Sequence, residues 1–97
     1  MNLQNYTIPE SGEIFDTLLE HKNIKIIRIV SSDKLEEKEY CQAEDEWVIV
    51  LEGEATLVVN GEKKCLGKGD SIFIPAEARH TVLSAKSGTL WLTIHIW

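Results

Sequence analysis

Tyr40, Gln42 and Glu46 sit close together in "YCQAEDEWVIVLEG", where a polar, acidic run turns into an apolar one that stops at Gly53. A second stretch, "GDSIFIPAEARH", supplies His80. Side chains alternate between faces on an extended chain, so Tyr40 and Gln42 point the same way and Cys41 points the other. If the fold gathers them, a phenol, an amide, a carboxylate and an imidazole support two kinds of chemistry. The first is a divalent transition metal (zinc, manganese, nickel or iron) held by Glu46 and His80. Gln42 and Tyr40 are weaker donors, because an amide carbonyl ligates poorly and a phenol must first lose a proton whose pKa is ~10. Catalytic zinc sites ordinarily keep three protein ligands, so two strong donors make an open, weak site. The second needs no metal. Glu46 accepts hydrogen bonds from His80, Tyr40 and Gln42, which offsets the cost of burying a carboxylate, and Glu46 and His80 then work as general base and acid.

The surroundings narrow the ligand. Glu36, Glu37, Glu39, Glu44, Asp45 and Glu46 crowd the approach, relieved by Lys38. As a rim, this run favours cations and neutral molecules over anions; as a plain solvated loop it does neither. Arg79 reads as a rim salt-bridge residue and His21 as a surface one. In "WLTIHIW", Trp91, Thr93, His95 and Trp97 share one face and Leu92, Ile94 and Ile96 the other. The aliphatic face is the better core candidate, which sends His95 and the tryptophans outward. Exposed large aromatics mark interfaces, so a homodimer is expected, unless the N-terminal segment folds over them. No Gly-rich phosphate loop opens a helix.

These residues belong to a chain of 97 residues with 43% hydrophobic and 27% charged content, which is ordinary for one globular domain. A net charge of −6 disfavours nucleic acid and anionic membrane surfaces as partners. No apolar run reaches the ~18 residues that span a bilayer, and the start "MNLQNYTIPESGE" has no basic or apolar leader region. Cys41 and Cys65 are too few for a disulfide scaffold. A reduced, cytoplasmic protein is expected.

Turn signals at short intervals predict an all-β domain. "IKIIRIV" is rich in β-branched residues and reads as a strand. Glu46 to Leu51 reads as a strand apolar on both faces, which needs cover on both sides. "EATLVVNGEKKCL" is a hairpin with Asn60-Gly61 at its tip; "SIFIP", "HTVLSA" and "TLWLTIHI" are further strands. Before Asn23, Ile14, Leu18 and Leu19 suit one face of a helix after Ser11, or a short strand. Seven or eight strands and at most one helix suggest closure into a barrel or jelly roll.

The spacing resembles that of the cupin superfamily, whose first motif runs Gly-x5-His-x-His-x3–4-Glu-x6-Gly and second Gly-x5-Pro-x-Gly-x2-His-x3-Asn. Glu46 and Gly53 fit the first, with Lys34, Tyr40 and Gln42 in place of its leading Gly and two His. Gly69, Pro75 and His80 fit the second, with Glu77 and Ser84 in place of the second Gly and the Asn. The resemblance implies a double-stranded β-helix, or jelly-roll, barrel over residues 24–97, with residues 1–23 as a helical or extended N-terminal segment packed on it. It also implies a pocket lined by Tyr40, Gln42, Glu46 and His80 at the positions of the family's metal ligands, and supports the homodimer. The expected function is small-molecule binding beside an eroded metal site. The alternatives are a metal-dependent, dioxygenase- or isomerase-like enzyme using Glu46 and His80, and a structural dimer with a vestigial pocket.

Overall fold

The computed structural model describes all 97 residues and forms nine strands with no helix. Of the helix and the strand open for the segment after Ser11, the strand forms. β1 (Glu13–His21) runs antiparallel along β2 (Ile24–Ser31), with a register shift between Thr17 and Leu19. β3 (Glu39–Cys41), β4 (Asp45–Glu52), β5 (Glu54–Val59), β6 (Glu62–Gly67), β7 (Ser71–Ile74), β8 (Arg79–Ala85) and β9 (Thr89–Ile96) follow. They assemble into a five-stranded sheet ordered β1-β2-β9-β4-β7 and a four-stranded sheet ordered β3-β8-β5-β6. The two sheets enclose a jelly-roll barrel.

Alternation decides which residues face inward. Val48, Val50, Leu57, Ile74 and Trp91 form the buried core between the sheets. Trp91 is opposite Val50, Thr93 opposite Val48 and His95 opposite Glu46 in the β4–β9 register. All three β9 residues are buried, whereas Leu92 and Ile94 are half-buried and Ile96 is exposed. The expected facing of β9 is therefore reversed: His95 and Trp91 point into the barrel and the aliphatic residues point out. The reason lies on the outer face of the five-stranded sheet, which is itself apolar. Trp47 and Phe73 are exposed there at 43% and 54%, next to Ile94.

The N-terminal segment covers only part of that outer face. Buried Arg28 holds it by an ion pair to Asp16 (Nη2–Oδ2 2.9 Å) and by donating to the Asn5 carbonyl at 3.1 Å. Beneath it Val30 and Leu90 are fully buried. At the far end of the molecule, Asn60 (φ 49°) and Gly61 (φ 80°) turn the β5–β6 hairpin, the left-handed pair that a type I′ turn requires.

Gly53, between β4 and β5, has φ 87°. A Cβ there would lie 2.5 Å from Thr89 Oγ1 and 2.9 Å from its Cα. Thr89 cannot give way easily, because its hydroxyl donates to the Lys86 and Glu54 carbonyls. Gly53→Ala is expected to cost roughly 2–4 kcal/mol of unfolding free energy from backbone strain plus overpacking. Gly61→Ala, with nothing within 4 Å of its Cβ, should cost only about 1–2 kcal/mol. Urea denaturation of both variants measures the difference.

Candidate functional site

A cavity of about 190 Å³ lies inside the barrel, with room for roughly six waters' worth of volume. Its walls are mainly apolar, from Phe15, Ile27, Ile29, Leu57, Val82 and Trp91, and Tyr40, Gln42, Glu46 and His80 all line it. β3 carries Tyr40 and pairs with β8 so that Tyr40 lies opposite His80, their rings stacked at 5.6 Å. Cys41 faces outward and is exposed, near Glu77. Arg79 pairs with Glu39 on the surface, and His21 is exposed.

Two cavity residues are not among the expected set. His95 enters from β9 and Glu13 from β1. The signal for His95 was the antiparallel match of the polar start of β4 to the polar end of β9. Glu13 carried no comparable signal, since its place depends on β1 pairing with β2.

Glu46 is the centre of the arrangement. Its side chain is 9% exposed and makes no hydrogen bond; its nearest polar neighbours are His80 Nε2 and His95 Nε2, each at 3.7 Å and on opposite carboxyl oxygens. The hydrogen bonds expected from Tyr40 and Gln42 to Glu46 do not form. The Gln42 amide donates instead to Glu44 Oε2 at 3.0 Å. Glu44 Oε2 also accepts from His95 Nδ1 at 3.0 Å. That contact assigns the proton of neutral His95 to Nδ1 and leaves the Nε2 lone pair facing Thr93 Oγ1 (3.2 Å) and Glu46. The 3.1 Å contact of His80 Nδ1 to the Ala78 carbonyl makes the same assignment, so its Nε2 lone pair also faces Glu46. Two lone pairs directed at one carboxyl group suit a carboxylic acid better than a carboxylate.

Burial, and then the charge of Glu44, push Glu46 up to about 7. Burial also pushes Glu13 up, against the hydrogen bond that Ser31 donates to it. Tyr40 is raised by burial and then by Glu13 and Glu46. Burial alone would raise Glu44, but hydrogen bonds from its own backbone N–H, Gln42 and His95 hold it below the usual carboxylate range.

The match to known proteins rests on the same segments. Residues 33–95 match the Cupin domain family. The chain belongs to the cupin family. No curated protein matches it, but solved structures do. One is a protein of Ralstonia eutropha provisionally named a mannose-6-phosphate isomerase. It is 32% identical, with 99% of this cupin and 95% of that chain covered, at a TM-score of 0.87. A cupin superfamily protein of Desulfitobacterium hafniense (22% identity, 94% and 83% covered, TM-score 0.82) shares the fold. So does an RmlC-like cupin of Shewanella frigidimarina (21% identity, 99% and 86% covered, TM-score 0.82).

Cupins often hold a metal. The donors of this cupin do not fit one in a three-ligand site. Tyr40 is stacked on His80, Gln42 is engaged by Glu44, and Glu46, His80 and His95, though neighbours, do not form a group of three that could hold a metal ion.

The folded protein holds the Glu46 proton more tightly than the unfolded chain does, whose carboxyl titrates near 4.5. The resulting stabilisation is fully present below about pH 4.5 and is lost as pH rises through about 7. Its size is on the order of 3 kcal/mol. Glu13, also raised, acts in the same direction. Unfolding free energy should fall between about pH 5 and 8. Glu46→Gln should remove most of that fall and exceed the parent in stability at the alkaline end.

Proposed function

We propose that this cupin binds a small, largely apolar molecule in its barrel and moves a proton on it without a metal, an isomerase-type reaction. The observation that supports this best is Glu46: nine-tenths buried, without a hydrogen bond and flanked by two imidazoles. A carboxyl group titrating near 7 is half-protonated at neutral pH, where a general acid–base catalyst is most effective. Glu46 takes a proton from a carbon next to a carbonyl and returns it to a neighbouring atom. His80 and His95 lie on either side as the partners that accept or supply it. Glu44 acts as a positioning residue, holding His95 by its Nδ1–H.

The substrate class follows from the walls. No Lys or Arg lines the cavity, so nothing there neutralises a phosphate. The name of the Ralstonia eutropha protein thus supports the reaction type better than the phosphorylated substrate. The test is α-proton exchange of cyclic ketones in D2O, followed by proton NMR. Exchange dependent on the protein should fall about 100-fold or more in Glu46→Gln, the usual loss when a general base is removed. Undiminished exchange in a folded Glu46→Gln variant would reject the base. A molecule lacking an acidic C–H would be bound unchanged, and the chain would then act as a binding or regulatory module.

The partner in this reading is a second copy of the chain. Trp47, Phe73, Ile94 and Ile96 form an uncharged patch on the outer sheet face. In a chain of net charge −6, such a patch is where two like-charged copies meet with least repulsion. Light scattering should give a dimer for the parent and a monomer for Trp47→Glu; a monomeric parent would contradict it.

A further inference from the structure

Glu13 has no place in the cupin motifs and none in the proton transfer at Glu46, yet it lines the same cavity. It reaches the cavity because β1 pairs with β2, which sets Glu13 opposite Ser31. The Ser31 hydroxyl donates to Glu13 Oε2 and accepts the Trp91 indole N–H at 2.8 Å. This chain, from the core tryptophan through a fully buried serine, fixes the carboxyl against the wall. Only one of its oxygens is used in that contact.

Tyr40 shares the cavity with both carboxyl groups. It lines the cavity, and both Glu13 and Glu46 act on its phenol through their charge. Its hydroxyl makes no hydrogen bond. Beside the imidazoles of His80 and His95, the cavity therefore holds two carboxyl groups and a phenol, set among Phe15, Trp91 and aliphatic walls. The Lys and Arg side chains of the neighbouring elements are engaged elsewhere or lie outside. Lys25 of β2 pairs with Glu20 of β1, Arg28 with Asp16, and Arg79 of β8 with Glu39 of β3. Lys38 lies over the Tyr40 ring and is exposed. Glu46, nine-tenths buried and aimed into the cavity without a hydrogen bond, marks the space as built for a ligand group.

We propose that the molecule bound in the barrel is a small organic amine, its ammonium group held by Glu13 and the Tyr40 hydroxyl and its apolar body directed towards Glu46. This rests on the reading of the barrel as a ligand site and names the class of molecule that fills it. An ammonium group offers hydrogen-bond donors to a half-buried carboxylate that has no basic partner of its own, and such charge-assisted bonds are about twice as strong as neutral ones. The aromatic surfaces of Tyr40, Phe15 and Trp91 suit the cation as well. An anionic molecule would meet two carboxyl groups and no Lys or Arg. A neutral molecule of the same shape would offer Glu13 at most one uncharged hydrogen bond.

The isosteric pair cyclohexylamine and cyclohexanol separates these cases. Titrations of the full-length protein near pH 7.5, followed by amide and side-chain NMR shifts of Tyr40, Val82 and Trp91, give both affinities. The amine should bind at least about tenfold more tightly than the alcohol. Glu13→Gln should abolish that difference, chiefly by weakening amine binding. Equal binding of amine and alcohol to the parent would overturn the amine assignment and leave the barrel as a ligand site. A preference for the amine that survives Glu13→Gln would overturn the role of Glu13. Failure of both probes to shift the cavity resonances would overturn the amine assignment together with the reading it rests on.

Discussion

The burial of one carboxyl group governs the interior of this barrel. Glu46 lies where β4, β8 and β9 come together, with its side chain 9% exposed and no hydrogen bond. A charge in that setting costs several kcal/mol, and no Lys or Arg lines the cavity to offset it. The proton is the remaining partner, and the surrounding groups are arranged to favour it. His80 and His95 each spend Nδ1 on an outside acceptor and turn Nε2 towards Glu46. Glu44, which accepts the hydrogen bond from His95 Nδ1–H, adds its own negative charge nearby. The acid–base character of the site thus comes from the β-sheet register and two ring tautomers.

That constraint explains why the site is assembled from distant parts of the chain. Glu46, His80, His95 and Glu13 come from β4, β8, β9 and β1. Strand pairing sets two of these neighbours directly: Glu46 opposite His95, and Tyr40 opposite His80. Closing the two sheets brings the pairs together. The apolar remainder of the lining keeps the local dielectric low, which strengthens each polar contact in the cavity and raises the cost of leaving one unmade. Gly53 contributes at a distance, because its close approach to Thr89 lets β4 pass into β5 at the end away from Glu46.

Much of this was legible in the sequence, and the reasons are specific. The strand periodicity, the Asn60-Gly61 turn and the spacing of Glu46, Gly53, Gly69, Pro75 and His80 carry local or motif-level information, and they indicated a jelly-roll barrel. Placing Tyr40, Gln42, Glu46 and His80 in one pocket needed only alternation and the motif frame. The facing of β9 was not legible. Both of its faces look buriable, and "aliphatic inside" fails when the outer surface of a sheet is itself apolar, as Trp47, Phe73 and Ile94 make it here. Glu13 was not legible either, because its position depends on β1 becoming an edge strand rather than a helix. The partner of Gln42 was decided by side-chain competition: Glu44, two residues away, reaches its amide at 3.0 Å.

The state of the Glu46 proton is the quantity on which the rest turns, and it can be observed directly. Carbon-13 NMR of the side-chain carboxyl, assigned by its disappearance in Glu46→Gln, follows that proton through a pH titration. A midpoint near 7 is predicted. A midpoint at the ordinary glutamate value near 4.5 would mean that the group is solvated or paired, and would contradict both the desolvation of Glu46 and the acid–base chemistry assigned to it.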